Sequence, residues 1–253
     1  MSGSLMRTSG SKLQSFSNRY WSTRSDGAHR NPNEESFQQY ARELLTVLPR
    51  RGILLDMGCG SCQVTTYMAP EFDHVYAVDF SKSMLEAAQR RIESFGLNNI
   101  KLLFGTASAF PTAVTHADVI LTSAVVQYFS HADLARHLKE CRRVLNPEGL
   151  ILAALIPDSA RKKIYYYGYF SGNRFHRLRR FRSWVYVARL RAKAYLQNDL
   201  LWDGIGNWFH QSDIERLAKQ MGFQAEFRDS QTSDYRFHAL LRPDLTLAGK
   251  LPD

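Results

Sequence analysis

Between Asn33 and Leu48, Phe37, Tyr40, Ala41, Leu44, Leu45 and Leu48 recur at three- and four-residue steps, and Pro49 stops the run. That spacing predicts a helix with one apolar face. The period then changes. Ile53-Leu54-Leu55 is a short apolar run closed by Asp56 and followed by the turn Gly58-Cys59-Gly60; Val75 to Val78, closed by Asp79, repeats the pattern. Continuous apolar runs of this length suit strands buried on both faces of a parallel sheet. Ser81 caps a helix through Met84, Leu85, Ala88 and Ile92. Ile100 to Phe104 and Ala117 to Ser123 read as the third and fourth strands. A helix near Asp133 to Leu145, a turn at Asn146-Pro147-Glu148-Gly149 and a fifth strand, Leu150 to Ile156, follow. After a long interruption come a helix over Gln211 to Met221, ended by Gly222, and two strands, Phe223 to Phe227 and Tyr235 to Leu241. Strands alternating with helices in this way predict an α/β fold with a mostly parallel sheet and helices on both faces.

The interruption is where charge changes the picture. The chain carries a net charge of +9, and the segment from Pro157 to Trp202 holds eleven Lys and Arg against Asp158 and Asp199, so it accounts for the whole excess. Within it Phe175, Leu178, Phe181, Val185, Ala188, Ala192 and Tyr195 form one helical stripe, with Arg179, Arg180, Arg182, Arg189 and Lys193 largely off it. The organisation expected is an N-terminal segment (1–32), a core (33–157), a basic aromatic helical insertion (158–210) and a C-terminal helix with final strands (211–253). Three cysteines give no disulfide framework and point to a reducing compartment. No run of about 18 apolar residues occurs, so a cytoplasmic protein without a transmembrane helix is expected. Met1 to Tyr20, with Arg7, Lys12 and Arg19 among many serines, lacks the apolar run of a secretory signal.

The chemistry concentrates at strand ends. In doubly wound sheets, ligands bind outside the carboxyl ends of the strands, where strand order reverses. Gly58 and Gly60 allow close backbone approach there, and the N-terminus of a following helix would offer free N–H groups. Asp79 ends the second strand, the position from which a carboxylate accepts hydrogen bonds from ribose hydroxyls. A nicotinamide site would want a third glycine where Gln63 stands. Cys59-Gly60-Ser61-Cys62 spells C-x-x-C, but zinc would need two more ligands, and a thioredoxin-like motif would not need the flanking acids.

Leu55-Asp56-Met57-Gly58-Cys59-Gly60 with Val78-Asp79, Ala117 to Ser123, and Arg143-Val144-Leu145-Asn146-Pro147-Glu148-Gly149 together resemble class I S-adenosylmethionine-dependent methyltransferases. The resemblance implies a Rossmann-like seven-stranded sheet whose last strand is antiparallel, with the basic insertion after strand 5. It implies S-adenosylmethionine as cofactor: Gly58 and Gly60 against its methionine part, Asp56 orienting the turn and reaching the ammonium through water. Asp79 would hold the ribose hydroxyls, Phe80 would lie against the adenine, and Ser123 would sit near the reacting methyl. The family often has a glycine where Cys62 stands and an acid or amide at Thr106; the backbone of Ala107 or the Ser108 hydroxyl would substitute for the latter.

For a hydroxyl acceptor a general base is needed within hydrogen-bond reach. His131, with Tyr128 beside it, is the preferred candidate. His210 and Asp203, next to a Gly204-Ile205-Gly206 turn that would fold over the pocket, come second. Tyr20, Trp21 and Arg24 would form a lid. Three uses compete for the basic segment: a cap on the substrate pocket, contact with an anionic membrane through 174–195, and a nucleic-acid surface. The function expected is methyl transfer to a small molecule, a saccharide-like, lipid-linked or phosphorylated compound. An RNA methyltransferase and a catalytically silent cofactor-binding scaffold are the alternatives.

Overall fold

Leu54 and Leu55 are neighbours in the first strand and both fully buried, yet they pack on opposite sides of the sheet. The same alternation separates Ile120 from Val119 and Leu121, and Ile151 from Leu150 and Leu152. Two-residue periodicity thus feeds two apolar layers, which is what a sheet covered on both faces requires. A computed structural model of the chain describes residues 33–49, 52–167 and 205–247, together with positions 185, 188, 189 and 192.

Seven strands lie in the order β3-β2-β1-β4-β5-β7-β6: β1 Ile53–Met57, β2 His74–Asp79, β3 Ile100–Phe104, β4 Ala117–Ser123, β5 Leu145–Pro157, β6 Phe223–Asp229 and β7 Arg236–Pro243. The pairs among β1 to β5 are parallel, and β7 runs antiparallel to both β5 and β6. The chain winds outward from β1 through β2 to β3 and then crosses to β4, so strand order reverses between β1 and β4.

Helices α1 (Glu34–Leu45), α2 (Thr65–Met68) and α3 (Lys82–Ser94) cover one face; α4 (His131–Val144) and α6 (Gln211–Gln220) cover the other, with α5 (Lys162–Tyr167) following β5. Asn33 caps α1, its Oδ1 accepting the Ser36 N–H at 2.9 Å. Ser130 and Asp133 form a reciprocal capping box on α4. Among the described residues no helix is long and apolar enough to cross a membrane.

Two local expectations are corrected. No helix begins at the glycine turn: Gly60 (φ 54°) and Cys62 (φ 57°) are left-handed, so right-handed helix starts only at Thr65, and α2 has four residues. Cys62 holds this backbone without being glycine, an arrangement that costs about 1–3 kcal/mol. Asn146 to Gly149 belongs to β5 rather than to a turn outside it. Ala117 pairs with Leu145 and Val119 with Leu150, so the intervening residues bulge. The Asn146 side chain donates to Asp118 at 2.5 Å, and Asp118 also accepts the Ile53 N–H at 2.7 Å. The lid residues Tyr20, Trp21 and Arg24, Asp203, and most of the basic insertion lie outside the described residues. Positions 185, 188, 189 and 192 are helical, with Ala188, Arg189 and Ala192 exposed.

Candidate active site

At the carboxyl ends of β1, β2 and β4 the structure holds a cavity of about 200 Å³. Its β1 wall is the turn expected from sequence. The N–H groups of Gly58 and Cys59 both donate to the Val78 carbonyl, at 2.8 and 3.1 Å, which folds the turn over the end of β2. A Cβ on Gly58 (φ 81°) would meet Val125 Cγ2 at 2.4 Å, whereas one on Gly60 would meet nothing within 4 Å. Gly58 is therefore fixed by packing against the β4 side, and Gly60 by backbone conformation beside open space.

Asp79, 7% exposed, fixes the β2 side. Its Oδ2 accepts the Gly60 N–H at 2.9 Å and its Oδ1 accepts the Ser81 N–H at 2.8 Å. Burial raises its carboxyl above the ordinary value despite these bonds. Asp56, on β1, accepts the Thr65 hydroxyl at 2.5 Å; burial pushes it up to about 6, with the neighbouring Asp79 charge adding to the rise.

The loop after β3 closes the third side with Gly105, Thr106 and Ala107. It is tied down by buried His137. A carbonyl can only accept, so His137 Nδ1 carries the proton given to the Ala107 oxygen at 2.8 Å, and Nε2 accepts the Thr122 hydroxyl at 2.9 Å. Burial lowers His137 to about 4, so it is neutral at ordinary pH.

On the β4 side, Ser123 Oγ lies 2.8 Å from the Tyr40 hydroxyl of α1. Ala124 follows at φ 55°, a sharp bend into the 3₁₀ turn Val126–Tyr128. Tyr40 is aimed by its own helix. One turn on, Glu43 accepts from His238 Nε2 at 2.8 Å and from the Gln231 N–H at 2.6 Å. His238 Nδ1 accepts the N–H of Leu155, which bulges out of β5 at φ 55°, and Arg236 donates to the Leu155 carbonyl at 2.6 Å. Burial raises Glu43, but the bonds from His238 and Gln231 outweigh it and hold the carboxyl below its usual range. Burial also pushes the Tyr40 phenol well up, so it is a neutral hydroxyl.

The structure therefore gathers Asp56, Gly58, Gly60, Asp79, Phe80, Thr106, Ala107, Ser123 and Tyr128 around one cavity. It does not bring His131 or His210 into its walls. His131 starts α4, is 57% exposed, and rests on Phe209 with Nε2 3.9 Å from Asp213. His210 is the exposed N-cap position of α6. Among the wall residues that sequence reasoning missed are Tyr40 and Gln127. Tyr40 sat in a stripe read as core, although a buried phenol needs a partner. Gln127 follows the apolar pair Val125-Val126 and is the one amide between Ala124 and Phe129. Asn207, next to the Ile205-Gly206 stretch, holds two wall residues by their main chain without lining the cavity itself: its N–H donates to the Gln127 carbonyl at 2.7 Å, and its side chain to the Phe129 carbonyl at 2.8 Å.

These walls fit the cofactor implied by the sequence: an open face beside a left-handed glycine, two carboxylates of restricted orientation and a backbone-lined third side. Comparison with known proteins gives the same direction. Residues 54–149 match the family model of a methyltransferase domain. The ubiquinone biosynthesis O-methyltransferase of Cereibacter sphaeroides is 32% identical over 119 residues, 47% of this chain and 47% of that protein. The demethylmenaquinone methyltransferase of Geobacillus stearothermophilus is 29% identical over 46% of this chain and 52% of that protein. The chain thus matches about half the length of these curated relatives. Among solved structures, a protein of Pyrococcus horikoshii (TM-score 0.63, 18% identity, covering 89% of this chain and 98% of that one) shares the fold. So does DhpI in its SAM–HEP complex (TM-score 0.62, 16% identity, 91% and 98%). Sheet order, wall geometry and family match agree that residues 54–149 form a class I S-adenosylmethionine-dependent methyltransferase domain.

Proposed function

We propose that the protein is an S-adenosylmethionine-dependent methyltransferase acting on a small-molecule hydroxyl acceptor. The observation that carries this is Asp79: a buried carboxylate at the end of β2, oriented by the N–H groups of Gly60 and Ser81 and facing the cavity. When bound, S-adenosylmethionine supplies an electrophilic methyl group on a sulfonium. The chain's own work is alignment and exclusion of water, because methyl transfer is an in-line displacement that gains most from positioning.

In this reading Asp79 accepts from the ribose hydroxyls, and Phe80 with the Thr106–Ala107 backbone holds the adenine. Gly58 and Gly60 give the methionine part room, and Asp56 faces its ammonium. Ser123, steadied by Tyr40, stands on the side where the acceptor enters. The names of the curated relatives, a quinone-pathway O-methyltransferase and a demethylmenaquinone methyltransferase, support a small neutral acceptor. The cavity agrees: the charged side chains in its walls are Asp56 and Asp79, among the described residues no Lys or Arg joins them, and Val125 and Phe129 are apolar. A phosphorylated acceptor would draw on the arginines of the insertion, outside the described residues.

Calorimetric titration with S-adenosylmethionine tests the reading. Binding that weakens about 100-fold in Asp79→Ala, the loss of two hydrogen bonds to a carboxylate, is expected. Absence of binding by folded wild-type protein would sink it.

A further inference from the structure

Gln127 is 5% exposed, lies in the cavity wall, and its side-chain Oε1 is buried with no hydrogen-bond partner among the described residues. Buried acceptors are almost always paired, because leaving one unmade costs the desolvation of the group without return. The exceptions cluster where a ligand completes them. We propose that Gln127 Oε1 is the recognition point for the methyl acceptor, taking a hydrogen bond from an uncharged O–H or N–H on it.

This deepens the methyltransferase reading and rests on it. Three observations assign the partner to the acceptor rather than the cofactor. First, the groups assigned to the ribose and adenine lie on β2 and the loop after β3, and those assigned to the methionine part on β1 and its turn, whereas Gln127 follows β4. In the strand order β3-β2-β1-β4, β2 and β4 are two strand spacings apart, about 10 Å. Second, the Gln127 main chain is clamped to Asn207, on the stretch where the chain returns from the insertion, and the Asn207 side chain holds the Phe129 carbonyl. Gln127 is thus held by the chain that follows the insertion, whereas Asp79 is held by Gly60 and Ser81. Third, the surroundings select for a neutral donor. Val125 and Phe129 are apolar, and the wall charges, Asp56 and Asp79, would repel an anionic acceptor.

A site built to accept from a hydroxyl rejects the analogue that lacks it, since the buried oxygen is then left unpaired. Phenol and anisole, alike in ring and differing in the donor, are therefore informative probes. Their binding to the protein, with and without S-adenosylhomocysteine, would be followed by ligand-observed NMR titration in wild type, Gln127→Leu and Gln127→Glu. Wild type is expected to bind phenol about tenfold more tightly than anisole. Gln127→Leu should remove that preference while binding S-adenosylhomocysteine within twofold of wild type. With no buried orphan oxygen, it should also melt no lower than wild type. Gln127→Glu retains an acceptor and should keep the preference for phenol. Equal binding of phenol and anisole by wild type would overturn the proposal. So would loss of S-adenosylhomocysteine binding in Gln127→Leu, which would give the residue to the cofactor. If wild type fails to bind S-adenosylhomocysteine, the methyltransferase reading falls. The phenol–anisole comparison, run on the free protein, still decides what Gln127 does.

Discussion

On the β2 side of the cavity the polar groups are held by near neighbours: Asp79 by the N–H groups of Gly60 and Ser81, Asp56 by the Thr65 hydroxyl. On the β4 side the contacts reach across the chain. Tyr40 meets Ser123 83 residues away, Asn207 clamps Phe129 at a separation of 78, and the His238–Glu43 contact behind Tyr40 spans 195. The first wall is a strand–turn–strand unit that dictates its own shape. The second exists only once α1, β4, β7 and the 205–209 stretch have assembled. On the proposed reading, cofactor contacts and acceptor contacts thus rest on different kinds of order, and substitutions should separate them.

The sharpest break comes at the seam between the walls. Gly58→Ala would drive a methyl group into Val125 from a left-handed backbone (φ 81°) and should cost about 3 kcal/mol of stability, read from the urea midpoint. Gly60→Ala has open space for its methyl group and pays only the left-handed backbone, about 1 kcal/mol. Its larger effect should be on cofactor affinity, because the methyl group occupies the cavity. If both variants lost stability equally, the walls would not be as separate as described.

That seam also explains what could be read from the sequence. Gly58, Gly60 and Asp79 announced themselves because a close approach, a left-handed backbone and a strand-end carboxylate each demand particular residues in a short stretch. The seven-stranded sheet and the antiparallel β7 followed from the resemblance those residues carried, whereas the strand order came from the structure. Tyr40 and Gln127 could not be read the same way. Tyr40 fits the apolar period of α1 as well as any core residue does, and only the packing of α1 on β4 shows its hydroxyl on Ser123. Gln127 interrupts an apolar run, a local signal whose meaning depends on the cavity beside it. The missing helix start after Gly60 has the same origin: nothing in the composition of that turn told that Cys62 would take φ 57°.

The cofactor wall should answer to pH. Burial places Asp56 at about 6 in the ligand-free protein, above the ordinary 3.8. A raised carboxyl binds its proton more tightly in the folded state. Its contribution to ligand-free stability is therefore full below the unfolded value and is lost as pH rises through about 6. A cationic ligand reverses the preference, since it needs the carboxylate charged. Affinity for S-adenosylmethionine should then be level above about pH 6 and fall by up to tenfold per pH unit below it. Asp56→Asn should flatten that profile. A profile unchanged in Asp56→Asn would remove Asp56 from the ammonium.

The β4 wall should respond in turnover rather than in cofactor binding. Tyr40→Phe keeps the ring against His238 but deletes the hydroxyl that meets Ser123 at 2.8 Å. Loss of one neutral hydrogen bond should lower kcat/KM about fivefold, with S-adenosylmethionine affinity within twofold of wild type. Equal losses in both would join the two walls into one.

The smallest effect is expected at His131, the residue that chain order alone favours as a base. Its place at the first turn of α4 puts it only three residues beyond Tyr128, but the helix turns it outward. The ring lies on Phe209, centroids 5.6 Å apart, and Nε2 is 3.9 Å from an Asp213 carboxylate already paired with Arg216 at 2.8 Å. A general base must come within hydrogen-bond reach of the acceptor, directly or through one water. His131 is not in the cavity walls, and its ring is occupied against Phe209. His131→Ala should therefore change kcat/KM by less than twofold at every pH, and His210→Ala likewise. A tenfold loss in His131→Ala, with cofactor affinity intact, would mean that acceptor binding opens the first turn of α4. The β4 wall would then be assembled by the substrate itself rather than by the fold.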